Sequence, residues 1–392
     1  MAKSNSWPWK AYQPLRLVWQ LYYLSALLAR LPFWIVKFAL FRSLRPHPEW
    51  NFEQSLRARL ILRMVDAQSQ IGISDPISLE PGREKERFKT ITPFPKNLYK
   101  GPLESSSVTP TTTGGTWYPA LKSAQDIGPQ GTVVLHIHGG AFVIGDGRTE
   151  HLGFLSNTLI KYARVDAVFA PQYRLSGYGD TNPFPAGLQD VLTSYLYLLR
   201  TLEIPSRNIV LSGDSAGGNL AIAFLRYLGE YGNDLGIPNP QSAVLISPWV
   251  SPQNSLGDDI TYLSNPNYPT DILPPEFTRW GAATYAATTP VSDPYITPLG
   301  NPFQTRVPMF VTQGAIEILE IDGTQWVKEM TRQEGNKIES AYEPLAIHDT
   351  LLVGDKSGWV ESARKVAGQI GDFIEASGRP QDTSGDDIPL KL

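Results

Sequence analysis

The chain has 392 residues, of which 42% are hydrophobic and 18% are charged, so it can bury a full core and is not disordered throughout. It contains no cysteine, which excludes disulfides, thiolate zinc sites, iron–sulfur centres and a cysteine nucleophile. The net charge of −4 provides no general attraction to nucleic acid, and we expect no nucleic-acid partner.

Residues 1–48 differ from the rest of the chain because they hold seven basic residues, no acidic residue and many large aromatic residues. The longest uncharged run, 17–29, has 13 residues, whereas a membrane-spanning helix needs about 20. Since Arg30, Pro32 and Lys37 interrupt any longer run, we predict a segment that packs on the protein's own core or binds a membrane surface. No clear A-x-A cleavage site and no Asn-x-Ser/Thr sequon occur, which disfavours secretion. We therefore expect an intracellular protein, peripheral or monotopic on a membrane if it binds one.

The next elements follow in chain order. Residues 52–73 have the apolar spacing of an amphipathic helix, and 101–116 are rich in Ser, Thr, Gly and Pro, which predicts a loop. Apolar, β-branched runs then predict buried strands at 132–137, 165–170, 208–212, 242–247 and 307–312. Helical patterns lie between or after them, at about 150–164, 186–203, 216–230, 322–335 and 355–376.

This alternation of strand and helix predicts an α/β fold with a doubly wound, mostly parallel sheet. The proline-rich segment 250–290 breaks the rhythm and is interpreted as an insertion. We expect a catalytic domain over 86–377, preceded by a helical segment over 1–85 and followed by a polar, flexible tail over 378–392.

Ser215 lies in the strongest local motif, Gly-Asp-Ser-Ala-Gly-Gly at 213–218, which contains G-x-S-x-G. The motif follows a predicted strand and begins a predicted helix, as a nucleophile on a sharp strand-to-helix turn requires. The helix N-terminus also favours developing negative charge. The alternative is a tight turn with a capping serine, but the context favours a nucleophile.

A glycine pair follows the strand at 132–137, in the sequence His138-Gly139-Gly140-Ala141-Phe142. Glycines allow close approach of the backbone, and acyl transfer needs N–H donors for its oxyanion. We predict an oxyanion hole formed by Gly139, Gly140 and Ala216, the last being the residue after the serine. The alternative is an ordinary glycine turn at a strand end.

These two motifs resemble the hormone-sensitive-lipase-like family of α/β-hydrolases, carboxylesterases that carry HGG and GDSAGG motifs. Further similar segments are Tyr173-Arg174-Leu175, Phe184-Pro185-Ala186 leading to Asp190, Asn219 and Ser247-Pro248-Trp249. The resemblance covers roughly 130–350 and implies an α/β-hydrolase fold that needs no cofactor. It also implies a cap over the site, built from 1–85 and about 250–290.

The order of catalytic residues in this fold is Ser, then Asp or Glu, then His. Only His348 follows Ser215, so it is the predicted base. The family usually shows G-x-x-D-x-L before it, and Glu317 stands at the position of the aspartate. The alternatives for the acid are Glu320 and Asp322, or none of the three if all are solvated residues at a helix start.

A metal site is an alternative interpretation of His136 and His138, because the two residues share one side of a predicted strand. The remaining histidines are few and lie elsewhere in the chain, and no H-E-x-x-H motif occurs, so we expect no metal.

The predicted activity is hydrolysis of a hydrophobic ester, such as a lipid, sterol ester or acylated natural product, through Ser215, Glu317 and His348. An acyltransferase with the same triad remains an alternative, as does a non-catalytic ligand-binding homologue. A retained triad argues against the non-catalytic reading.

Overall fold

The computed structural model describes residues 6–74, 76–120, 127 and 131–378, and its centre is an eight-stranded sheet. The strands are β1 (Phe88–Ile91), β2 (Thr113–Tyr118), β3 (Val133–Ile137), β4 (Ala167–Gln172), β5 (Ile209–Asp214), β6 (Ser242–Ile246), β7 (Met309–Gly314) and β8 (Ile338–Glu343). Their spatial order is β1-β2-β4-β3-β5-β6-β7-β8. Only β2 runs antiparallel to its neighbours, so the predicted mostly parallel α/β sheet is confirmed.

Helices cover both faces of this sheet. They are α1 (Leu15–Leu40), α2 (Phe52–Ile71), α3 (Thr149–Thr158), α4 (Ala186–Leu196), α5 (Ser215–Tyr227), α6 (Asn233–Leu235), α7 (Asp259–Leu263), α8 (Pro275–Ala286), α9 (Glu320–Thr331), α10 (Thr350–Ser357) and α11 (Val360–Gly378). Along β3, Val133 and Leu135 face a core shared with α4, α5 and α9, whereas Val134 faces one shared with α3, α10 and α11. The strands are therefore apolar on both sides, as buried parallel strands require.

The region 101–116, predicted as a loop, contains the start of β2, and β1 was not predicted at all. The start of β2 was predicted as a loop because it contains two consecutive glycines, Gly114 and Gly115. In the structure the ring of Phe88 occupies the space where a Cβ of Gly114 would lie, and Phe169 does the same at Gly115. Small residues thus serve close packing here rather than a turn.

The N-terminal helix α1 corrects a second expectation. Pro32 lies inside it, and the helix continues for 26 residues. A proline removes one backbone donor and disfavours a helix, but it did not end this one. By length and composition α1 is long enough and apolar enough to cross a membrane. Our prediction that 30–37 would interrupt such a length was wrong.

The proline-rich stretch 250–290 lies between β6 and β7 and contains α7 and α8. The division into an N-terminal segment, a catalytic domain and an insertion stays a prediction. The predicted tail from 379 onward lies outside the described residues.

Candidate active site

Ser215 sits at the junction of β5 and α5, where the chain turns sharply. Its φ is +51°, a left-handed backbone conformation that is uncommon for a non-glycine residue. A Cβ on Gly213 would collide with the backbone of Gly217, and one on Gly217 with the carbonyl oxygen of Ile137. Only glycines fit at these positions, so the flanking sequence builds the turn that presents the serine.

His348 and Glu317 come together at the same edge of the sheet. His348 follows β8, and Glu317 follows β7. The Nδ1 atom of His348 lies 3.6 Å from Oε2 of Glu317, which is too long for a hydrogen bond but close for a charge pair. Nδ1 of His348 and Oε1 of Glu317 are buried and have no hydrogen-bond partner in the described part of the chain. A small movement that brings Nδ1 of His348 within hydrogen-bond distance of the Glu317 carboxylate would give this ring nitrogen a partner.

The Glu317 carboxylate is fixed by two donors. Ser247 donates its hydroxyl to Oε2 at 2.6 Å, and the Gly314 N–H donates to the same oxygen at 3.2 Å. Glu317 is fully buried. A buried carboxylate held in this way can stabilise a neighbouring imidazolium.

The two alternative acids have other partners. Glu320 accepts a hydrogen bond from Thr324 within α9, and Asp322 accepts one from Asn254. The geometry therefore brings Glu317, and neither of these, to His348.

The charge state of His348 reflects two opposing effects. Burial lowers the pKa of the ring, because a charged imidazolium loses solvation. The interaction with Glu317, supported by Asp271, outweighs burial and raises the pKa of His348 to about 9. The surroundings thus favour the imidazolium that forms when a serine gives up its proton.

Within the described residues no hydrogen bond joins Ser215 to His348. Asp214, the residue directly before Ser215, carries a carboxyl group that interacts with the His348 charge. Ser215 is 8% exposed and His348 is 4% exposed, so the site is largely enclosed. Hydrogen bonds between a nucleophile and its base are often long before substrate binds.

One N–H group of the predicted oxyanion loop already has a partner. The N–H of Gly139 donates to Oδ2 of Asp214 at 2.9 Å, and the oxyanion hole of Gly139, Gly140 and Ala216 stays a prediction. Gly140 adopts a φ of +97°, which reverses the chain directly after Gly139. Ala216 lies in the first turn of α5, where backbone N–H groups have no partner inside the helix.

Asp271 is a buried residue at the site that the sequence did not suggest. Its Oδ1 accepts the N–H of His348 at 3.0 Å, and its Oδ2 accepts the N–H of Ile318 at 2.7 Å. One carboxylate therefore joins the loop of the base to the loop of the acid. Its position in the proline-rich insertion gave no signal in the sequence.

The N-terminal segment also supports the base. The indole N–H of Trp50 donates to the Leu345 carbonyl at 2.8 Å, and Trp359 donates to the same oxygen at 3.2 Å. Trp50, Ala58 and Ile272 pack in one apolar cluster with Ile347. The segment before the sheet thus helps to shape the loop that carries His348.

The two histidines of β3 have separate partners. His136 contacts Ser212 and Asp214, each at 3.0 Å, whereas the ring of His138 stacks on Tyr173. Among the described residues no group of three or more His, Cys, Asp or Glu side chains is arranged to hold a metal ion.

Comparison with known proteins agrees with this geometry. A family profile described as the alpha/beta hydrolase fold matches residues 134–352. An acetyl-hydrolase of Streptomyces hygroscopicus is 39% identical over 119 residues, which are 30% of this chain and 36% of that protein. A triacylglycerol lipase of Mycobacterium tuberculosis is 28% identical over 226 residues, which are 57% of this chain and 43% of that protein. The chain thus spans less than half the length of either relative.

A solved esterase of the bacterial hormone-sensitive lipase family superposes with a TM-score of 0.56 at 23% identity, covering 90% of this chain and 98% of that one. At this identity the likeness shows the fold. The likeness agrees with the profile, which describes the same fold. The chain belongs to the α/β-hydrolase family and resembles its hormone-sensitive-lipase-like esterases.

Proposed function

We propose that the protein is a serine carboxylesterase with Ser215 as nucleophile, His348 as base and Glu317 as the acid that orients the base. The observation that carries this proposal is the left-handed Ser215 at the start of a helix, together with a buried His–Glu pair that follows β7 and β8 of the same sheet. No cofactor takes part in the proposed reaction.

The reaction starts when Ser215 Oγ attacks the ester carbonyl carbon while His348 takes the hydroxyl proton. The N–H groups of Gly140 and Ala216 stabilise the oxyanion, and Gly139 instead holds Asp214. His348 then gives its proton to the leaving alcohol. Water, activated by His348, hydrolyses the acyl-enzyme and frees Ser215.

We propose a hydrophobic ester as the substrate. The backbone N–H of Trp249 donates to the Ser215 carbonyl at 2.9 Å, which ties the segment after β6 to the serine. The rings of Phe142, Trp249 and Tyr285 stack together in the buried core, with centroid distances of 5.5 and 3.9 Å from Phe142. The relative named a triacylglycerol lipase supports a hydrophobic acyl or alcohol group, as in a lipid or sterol ester.

The test uses p-nitrophenyl esters of graded chain length with the wild-type protein and Ser215→Ala. We expect hydrolysis by the wild type and none above background by the variant. Adding a competing alcohol distinguishes transfer from hydrolysis, since an acyltransferase would form a new ester in preference to the free acid. Robust hydrolysis by Ser215→Ala would overturn the proposal.

We also propose that α1 attaches the enzyme to a membrane surface. Most of α1 is exposed and apolar, and its largest exposed side chains are Leu15, Leu17, Val18, Leu21, Tyr22, Leu24, Leu28, Phe33, Ile35, Val36 and Leu40. Residues 1–48 carry seven basic side chains and no acidic one. Apolar and basic groups together match the acyl boundary and headgroups of an anionic membrane.

The contacts between α1 and α2 favour a position of α1 in the membrane interface over a position in which α1 spans the bilayer. Tyr23 in α1 donates a hydrogen bond to Asp66 in α2 at 2.8 Å, and Lys10 bonds Gln70. If α1 crossed the bilayer, charged residues of α2 such as Arg63 would enter the hydrocarbon at a cost of about 2.5–3.5 kcal/mol each. A monotopic position avoids this cost.

Flotation with phosphatidylserine–phosphatidylcholine vesicles tests the membrane proposal. Wild-type protein is expected to float at low salt and less at high salt. Leu24→Glu combined with Leu28→Glu should abolish flotation, because both side chains are exposed on α1, whereas Ile260→Glu, exposed on α7, should not. Wild-type protein that stays unbound at low salt would show that α1 does not bind membranes.

A further inference from the structure

Behind the triad lies a pair of buried carboxyl groups, Asp214 and Asp349, which the reaction above does not use. Asp214 directly precedes Ser215, and Asp349 directly follows His348. Both are essentially fully buried. Each carboxyl group is the hydrogen-bond partner of the other. Two ionised carboxylates that contact each other in a buried site would repel each other, so one of the two carries a proton.

The partners of Asp214 identify it as the ionised member. Its Oδ1 lies 3.0 Å from Nε2 of His136, and its Oδ2 accepts the N–H of Gly139 at 2.9 Å. Burial lowers the pKa of His136 to about 4, so the ring is neutral and can donate one proton. If Nε2 donates to Asp214, Nδ1 can accept from the hydroxyl of Ser212, 3.0 Å away. Asp214 thus receives two donors that suit a carboxylate.

Asp349 has the surroundings of a neutral acid. Its Oδ1 accepts the N–H of Leu352 at 3.1 Å, but its Oδ2 is buried without a donor among the described residues. An oxygen that lacks a donor and faces a carboxylate is satisfied if it carries the proton itself. Burial and the Asp214 charge both raise the pKa of Asp349, and burial raises that of Asp214 to about 6.

We propose that Asp349 is a positioning residue that stays protonated at neutral pH and donates its carboxyl proton to Asp214. This hydrogen bond joins the loop of the base to the turn of the nucleophile, and Asp214 extends the connection to Gly139. The N–H of Asp349 also donates to Ser247, which in turn donates to Glu317. One neutral acid therefore links the loops that carry Ser215, His348 and Glu317.

Other titratable groups surround the pair and set its charge balance. His348 interacts with both carboxyl groups, Tyr173 after β4 interacts with Asp214, and His136 of β3 interacts with Asp349. Glu317 and Asp271 interact with His348 as well. The His348 charge lowers the pKa of Asp349, but burial and the Asp214 charge outweigh it, which supports the protonated form.

The positioning role rests on the triad proposed above, but the proton can be detected without any activity. A protonated carboxyl group has an infrared carbonyl stretch that an ionised carboxylate lacks. We expect the difference spectrum between wild type and Asp349→Asn, recorded at neutral pH, to show the loss of one such band. Asp355→Asn, which replaces an exposed aspartate on α10, the helix that follows Asp349, should show no loss. Absence of the band in the first difference spectrum would refute the proposal.

Activity then tests the positioning role. Asparagine keeps a donor toward Asp214 and tolerates the φ of +54° at position 349, so Asp349→Asn should fold and keep kcat/KM within about threefold. Glycine also fits this φ but loses the donor, so Asp349→Gly should lose about 10²-fold, as expected for a misplaced catalytic group. Equal kcat/KM values for the two variants, or failure of Asp349→Asn to fold, would contradict the role. If wild type shows the infrared band but no esterase activity, the proposed function fails while the proton assignment stands.

Discussion

At the carboxyl edge of the sheet, polar side chains are buried and held by hydrogen bonds, whereas along α1 apolar side chains are exposed. Glu317 is fully enclosed, yet Leu40 is 70% exposed. Both arrangements are unfavourable for folding alone, because burying charge and exposing apolar surface each cost free energy. Both departures are what the two proposals above require, namely catalysis at the sheet edge and surface binding at α1. If this comparison is right, substitutions of the buried polar groups at the sheet edge should lower activity or stability.

The largest effect is expected for Glu317→Gln, which removes the charge that supports His348. We expect kcat to fall by about 10²–10⁴, as for loss of the acid in a triad. Glu320→Gln and Asp322→Asn serve as matched controls and should keep nearly full activity, since both side chains bond elsewhere. The measurement is kcat of each variant on one soluble ester. A larger loss of kcat in Glu320→Gln or Asp322→Asn than in Glu317→Gln would assign the role of the acid to that residue.

The pH dependence of kcat/KM gives the next largest effect. His348 must be neutral to accept a proton, and its pKa is raised to about 9. Activity should therefore increase with pH from neutrality toward 9, by about tenfold per unit well below the midpoint. Glu317→Gln removes the main group that raises this pKa, so the midpoint should move to lower pH. An unchanged midpoint in that variant would show that Glu317 does not control the ring.

A smaller effect is expected for Ser247→Ala. The hydroxyl of Ser247 donates to Glu317 and accepts the N–H of Asp349 at 3.2 Å. Its loss leaves the Asp349 N–H without this acceptor and leaves Glu317 with the Gly314 N–H as its remaining donor. The free energy of unfolding should fall by about 1–3 kcal/mol, with a moderate loss of kcat. Ser242→Ala is the control, because this buried hydroxyl at the start of β6, the strand that leads to Ser247, has no partner in the described part of the chain. Equal stabilities in urea unfolding would contradict the linking role of Ser247.

Motifs with a strict backbone requirement were predictable from the sequence. The glycines around Ser215 indicated the turn because no other residue fits there, and strand periodicity predicted β3 and β5 to within a residue or two. The position of His348 after Ser215 was enough to single it out. The turn and the strands were predictable from local sequence, and the candidate base was predictable from the order of catalytic residues in the chain.

Groups that depend on distant contacts could not be predicted. Asp271 reaches His348 across 77 positions, and Ser247 reaches Asp349 across 102. Nothing in the sequence around Gly139 indicates that its N–H donates a hydrogen bond to Asp214. The length of α1 was missed because Pro32 commonly ends a helix.

The most direct test of the central claim is covalent labelling of the intact protein with a fluorophosphonate, followed by peptide mass spectrometry. Such probes react with a serine activated by a neighbouring base. The account predicts one adduct, on the peptide that carries Ser215, and no adduct in Ser215→Ala. An adduct on another serine, or labelling that persists in Ser215→Ala, would contradict it.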